Sequence, residues 1–134
     1  MKLFYTLLFS LYICSGYNAQ TDLEILKQEY WSFFSKGQLD EAAKRSNNIA
    51  DLSLNTYGPD NYWYALGIRY KALIFLSQAQ SSIYREVRYQ LLDSVILYSD
   101  IAIRSFEKSK DVLNDDYLSA ISNMAVAYDM QGKY

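Results

Sequence analysis

Residues 65–75 read Ala-Leu-Gly-Ile-Arg-Tyr-Lys-Ala-Leu-Ile-Phe, and their spacing decides the fold class. Ala65, Ile68, Ala72 and Phe75 stand at steps of three, four and three. Such steps line four side chains along one stripe of an α-helix, whereas one face of a strand needs steps of two. The same steps recur on either side. Leu23, Leu26, Tyr30 and Phe33 lie 42 residues earlier, and Leu118, Ile121, Ala125 and Tyr128 lie 53 residues later. Three stripes in phase indicate a repeated helical unit.

Helices of a second kind lie between the stripes. Gln38 to Leu54 carries Ala42, Ala43, Ile49, Ala50 and Leu52 among polar neighbours, so it too has an apolar side. Tyr57-Gly58-Pro59-Asp60-Asn61 then stops it. Gly takes the left-handed C-terminal position, Pro cannot continue the helix, and Asp60 or Asn61 can cap the next one. Ser82 to Lys108 reads as a further helix, with Tyr84, Val87, Leu91, Val95, Tyr98, Ala102 and Phe106 on its apolar side. Thr21 with Glu24 has the form of a capping box for the first helix, and Asp115 with Asp116 is placed to cap the last. The expected order is five helices, the two kinds alternating, joined by short loops. Glu29 and Lys71 occupy one place in successive repeats; these opposite charges either pair or reach water separately.

Composition agrees with a helical core. Hydrophobic residues make up 51% of the 134, with one Pro and five Gly, which suits one modest helical domain and not a chain of tight β-turns. The 14 Tyr suit helix seams that meet water, since each joins an apolar ring to a hydroxyl. A formal charge of -2 and a pI of about 5.0 give no basic footprint for nucleic acid. There is no His, and Cys14 is the one Cys. No Cys–His or Ser–His nucleophile and no His- or Cys-ligated zinc site can therefore be assembled. Asn114-Asp115-Asp116 lacks the spacing of a calcium loop. The expectation is a protein without metal, cofactor or catalytic residues.

Residues 1–19 read as a secretory signal. Lys2 is a short positive region, Leu3 to Ile13 is apolar apart from Thr6 and Ser10, and Ser15, Gly16, Asn18 and Ala19 follow. Cleavage is expected after Ala19, with Gly16 as the alternative, giving a secreted or periplasmic chain. Cys14 follows Ile13, where a lipoprotein site wants a small residue, which argues against lipid anchoring. From residue 20 onward no apolar run is long enough to span a bilayer.

Two turn motifs carry a family resemblance. Ser122-Asn123-Met124-Ala125-Val126-Ala127-Tyr128-Asp129-Met130-Gln131-Gly132-Lys133-Tyr134 resembles the first helix and turn of a tetratricopeptide repeat. Gly37-Gln38-Leu39-Asp40-Glu41-Ala42 resembles the turn and the start of the second helix in that family. The linker Tyr57-Gly58-Pro59-Asp60, with the 42-residue offset, is similar to the kinesin-light-chain type of this repeat. The resemblance implies antiparallel helix pairs stacked as an α-solenoid, a right-handed superhelix, over residues 20–134, in units 21–58, 59–111 and 112–134. Tyr30 departs from the small residue the family pattern wants in mid-helix. Ala79 replaces the second turn glycine, and the second unit holds 11 additional residues. Eleven residues make about three helical turns, so such an insertion can lengthen a helix without rotating its apolar face.

By the same resemblance the first-kind helices line a concave groove that binds a peptide or protein. The groove positions are Lys27, Trp31 and Phe34, then Arg69, Leu73 and Leu76, then Ser122, Val126 and Asp129. Arg and Trp are the types most often found at binding hot spots; packing by the apolar members and a solvated Arg69 are the competing readings. The chain is expected to be an exported interaction scaffold. The alternative makes it the extracytoplasmic front of a larger signalling protein or caspase-like protease. After Gly132-Lys133-Tyr134 the pattern calls for another second helix, so the last stripe is expected to lie uncovered and open to self-association.

Overall fold

The computed structural model describes residues 2–110 and 112–133, with side chains from residue 18 onward. Among the described residues the chain is all-α: α1 (Lys2–Ser35), α2 (Leu39–Tyr57), α3 (Tyr62–Ser81), α4 (Arg85–Ser109) and α5 (Asp115–Met130), with no strand. Each helix packs on the next, and α5 also touches α3. The side chains of the apolar stretch Leu3–Ile13 and of Cys14 lie outside the described residues. No helix among the residues searched is long and apolar enough to cross a membrane.

The helix ends repeat as the stripes do. Asn61 caps α3 by accepting the Tyr64 amide at 3.0 Å, and Asn114 caps α5 by accepting the Tyr117 amide at 2.8 Å. Both cap and donor are 53 residues apart. The expected capping by Asp115 and Asp116 is thus corrected: Asn114 does it, and the two acids sit in the first helical turn, where the helix dipole favours negative charge. The capping box at Thr21 is also corrected. The register puts the cap position at Ala19, which has no side-chain acceptor, and α1 runs through it without a break.

At the other end, α1 and α5 stop in the same way. Gly37 and Gly132 take φ of 71° and 68°. Gln38 and Lys133 then donate back to Phe33 and Tyr128, while the two glycines donate to Phe34 and Asp129, the paired bonds of a glycine C-cap. Ala79 stands at the matching place in α3. An alanine resists that left-handed conformation, and α3 runs four residues past the place that matches the ends of α1 and α5, to Ser81.

This locates the insertion. Buried Ala42, Ser46, Ile49 and Ser53 of α2 match buried Val95, Ser99, Ala102 and Phe106 of α4 at a constant offset of 53. All 11 additional residues therefore fall at the tip of the α3–α4 hairpin, four ending α3 and seven opening α4. Both helices lengthen, where a single longer helix was the simpler expectation. Gln131 of the α5 tip reaches the base of the extension, donating to Asp93 at 2.7 Å and to the backbone oxygen of Tyr89 at 3.5 Å. Beyond it nothing covers the expected stripe residues Tyr84 and Val87, which are exposed; Leu92, one place past Leu91, is the buried residue.

Three apolar clusters hold the array. Leu23 and Tyr30 of α1 pack with Ala42 and Ile49 of α2 and with Trp63, Leu66, Tyr70 and Ile74 of α3. Ala65 and Ile68 of α3 meet Ala102 and Phe106 of α4 and Ala120 of α5. Leu76 and Ala79 meet Leu92, Val95 and Ala127. Tyr30, the departure from the family pattern, is fully buried and stacks on Tyr70 at 4.1 Å between ring centres.

α2 and α3 cross closely at Gly67, where an added Cβ would lie 2.7 Å from the backbone nitrogen of Ala50. Backbone cannot yield as a side-chain tip does. Gly67→Ala should therefore cost about 1–3 kcal/mol net, although alanine is the better helix former by about 1 kcal/mol. Urea unfolding measures this; a raised midpoint would show that α2 and α3 separate freely.

Candidate functional site

The predicted groove positions fall on α1, α3 and α5. Between α1 and α3 lies an aromatic block. Phe34 stacks on Tyr30 at 5.6 Å, and Trp31 meets the edges of Tyr30, Phe34 and Tyr70 at 5.2, 5.6 and 5.4 Å. Tyr30 donates its hydroxyl to the backbone oxygen of Tyr70, and Trp31 donates its indole N–H to the Tyr70 hydroxyl, both at 3.0 Å. Trp31 is thus fixed in one pose while 38% of its surface stays open.

Between α3 and α5 lies a polar counterpart. Arg69 is 6% exposed and contacts Asp116 at 2.6 Å, while Tyr62 donates to the other carboxylate oxygen at 2.7 Å. The guanidinium lies 4.9 Å over the Tyr70 ring. Arg69 is therefore not the solvated charge of the competing reading; its partner, 47 residues away, brings it inside.

Burial pushes the Tyr30 phenol well above its ordinary range, against a smaller opposing pull from Arg69. Tyr62 is raised by burial and then by its hydrogen bond to Asp116, and Tyr70 by burial against the opposing Trp31 contact. These phenols are held neutral. That suits hydrogen bonding and packing, not proton abstraction at neutral pH.

The remaining predicted positions divide. Lys27 is half-buried with its ammonium 5.9 Å over Trp63. Leu73 is partly buried, and Leu76, 5% exposed, is given over to the α3–α4–α5 core. Ser122, Val126 and Asp129 are exposed on α5. The structure thus brings Trp31 and Phe34 together, turns Arg69 and Leu76 inward, and leaves the α5 residues open.

Glu29 and Lys71 do not pair. Glu29 accepts from Arg45 of α2, and Lys71 lies 4.6 Å over the Tyr98 ring of α4. Each long side chain turns to the second helix of its own pair, which is nearer than the matched position one repeat away. Tyr62, Tyr70 and Asp116 are the members that sequence reasoning missed; for the two tyrosines the only signal was a density of Tyr around Trp63, and Asp116 was read as a cap alone. Among the described residues no group of three His, Cys, Asp or Glu is placed to hold a metal ion. No family model, curated protein or solved structure matches the chain.

Proposed function

We propose that this chain is an exported, non-catalytic scaffold of tetratricopeptide type, binding an extended peptide or a partner helix along the edge formed by α1, α3 and α5. The observation that carries binding is Trp31: a large, half-open aromatic already locked by Tyr70, so little side-chain freedom is lost on contact. Val126 and Asp129 supply an apolar and an acidic contact on the same series of helices.

The solenoid reading is supported by the shared register of caps, turns and buried stripes. Export is supported by the same register. Gln20, Tyr62 and Asp115 are matched positions, the last two opening α3 and α5. Cleavage after Ala19 would leave a first helix of 16 residues, the length of α5. The reading as the front of a larger signalling protein or caspase-like protease is favoured by the uncovered stripe on α5.

The test uses chain recovered from the extracytoplasmic fraction with its N-terminus near Gln20. Peptides selected on it from a random display library should shift the emission of Trp31. Trp31→Ala should weaken them at least tenfold, about 1.4 kcal/mol, with the circular dichroism spectrum unchanged. Selected peptides that bind the variant equally well would refute the groove.

A further inference from the structure

The exposed stripe Leu118, Ile121 and Tyr128 of α5 repeats places that α2 and α4 cover on α1 and α3. The tip of the α3–α4 hairpin is exposed for another reason: it has no counterpart in the array. Ile83, Tyr84 and Val87 there are 82%, 68% and 45% exposed. The corresponding turns read Lys36-Gly37-Gln38 and Gln131-Gly132-Lys133, with no apolar side chain. Gln20 bonds to Trp63 and Tyr30 to Tyr70, so α1 and α3 run parallel. Ala120 meets Ala65 and Ile68, and Ala127 meets Leu76 and Ala79, so α5 runs the same way. All three turns therefore lie at one end. The four extra residues of α3 and the seven of α4 carry the middle turn about 6 Å and about 10 Å past the level of the others.

Ile83 and Tyr84 do not serve the fold. Neither joins an apolar cluster, and Tyr84 holds the N-cap place of α4 without a side-chain hydrogen bond, where α3 and α5 have Asn61 and Asn114. A local rule broken without a gain in packing points to function. The charges at the tip are as unusual. Arg45, Arg69 and Arg104 each pair with a carboxylate, whereas Arg85 and Arg88 pair with none among the described residues. Both are held in place nonetheless. Arg85 donates to the Tyr89 hydroxyl at 3.2 Å, and Arg88 folds back to donate to the Ser82 carbonyl at 3.2 Å.

We propose that this tip is a membrane-contact element, seating Ile83 and Tyr84 in the interface of a bilayer with anionic phospholipid headgroups. The order along the hairpin is the order of layers in such a surface. An aliphatic and an aromatic side chain form the apex, and unpaired guanidiniums stand just behind it at the depth of the phosphates, which they bind well. A lipid surface accepts a projecting tip without a matching cavity. A protein partner would have to supply both a deep pocket and carboxylates. A second copy is the poorer occupant, because tip on tip brings four unpaired guanidiniums together. The far end of the array carries Asp22, Asp51, Asp60 and Asp115 against Lys108 and Lys110, so an anionic surface repels that end and turns the tip toward itself. The contact is independent of the Trp31 edge.

The test is co-sedimentation of the chain recovered from the extracytoplasmic fraction with vesicles of phosphatidylcholine, pure or carrying about one-third phosphatidylglycerol. The anionic vesicles should bind it at least tenfold more tightly, and added salt should reduce the difference. Ile83→Asp, in an open turn, should weaken binding at least tenfold with helix content unchanged, and Arg85→Gln about fivefold. Leu97→Asp and Trp31→Ala, both away from the tip, should leave it unaltered. With a spin-labelled lipid in the vesicles, broadening of amide NMR signals should centre on residues 82–88. The proposal is overturned by the absence of binding to either vesicle, by binding that Ile83→Asp leaves unchanged, or by broadening centred elsewhere. Equal binding to the two vesicles would overturn the role of the arginines. A dimer dispersed by Ile83→Asp, with no vesicle binding, would assign the tip to a second copy instead.

Discussion

Arg69→Met should lower folding stability by about 3–5 kcal/mol, because it leaves Asp116 as an uncompensated, largely buried charge. The side chains of Arg69 and Asp116 are 7% and 23% exposed, whereas each other described ion pair has at least one partner 40% exposed or more. Those exposed pairs are worth about 0–1 kcal/mol. Tyr62 continues to donate to Asp116 in the variant, but a neutral hydroxyl does not cancel a carboxylate's charge. Against a typical total of about 5–15 kcal/mol, the loss would move the urea midpoint far to the left. Adding Asp116→Asn removes the orphaned charge and should recover at least half of it. A double variant that merely sums the two single losses would mean that Arg69 acts by packing over Tyr70 and not by pairing.

The same pair shows where sequence reading ends. A periodic stripe reports which side of one helix is apolar, so the helices and their order were legible from Leu23, Ala65 and Leu118 and their companions. The stop at Gly58 and the cap at Asn61 were legible because capping is local chemistry within four residues. Arg69 and Asp116 are joined only by the crossing of α3 and α5, and no local pattern marks a contact 47 residues apart. Glu29 and Lys71 failed for a related reason: matched positions in a repeat are separated by a whole helix spacing, while Arg45 and Tyr98 on the neighbouring helix stand within reach. The 11-residue insertion was visible as an offset, but its division between α3 and α4 depended on Ala79 failing to turn where Gly37 and Gly132 do. Of the candidate groove residues, Trp31 and Phe34 lie side by side on α1, in contact at 5.6 Å. Leu76 turns into the core instead, since a stripe wide enough to serve both a groove and a core cannot be divided from spacing alone.

Alkaline pH should unfold the chain cooperatively, driven by Tyr30, Tyr62 and Tyr70. All three phenols are raised above the ordinary value of 10.0, Tyr30 and Tyr70 being almost wholly buried. The folded chain therefore keeps protons that the unfolded chain releases. Stability from this source is complete below pH 10 and falls as pH rises from there toward the folded-state values. Each phenol that stays protonated in the fold and ionises in the unfolded chain removes about 1.4 kcal/mol per pH unit. Loss of helix content and the phenolate absorbance of these three buried tyrosines should appear together, in one sharp step above pH 10. Tyr30→Phe keeps the ring stack on Tyr70 and deletes one hydrogen bond, at a cost of about 1 kcal/mol at neutral pH. It also deletes one ionisable group, so its stability should fall less steeply with pH than that of the parent chain. All the tyrosines titrating near pH 10 with helix content intact would contradict the burial of this block. So would a Tyr30→Phe variant whose stability falls with pH at the parental slope.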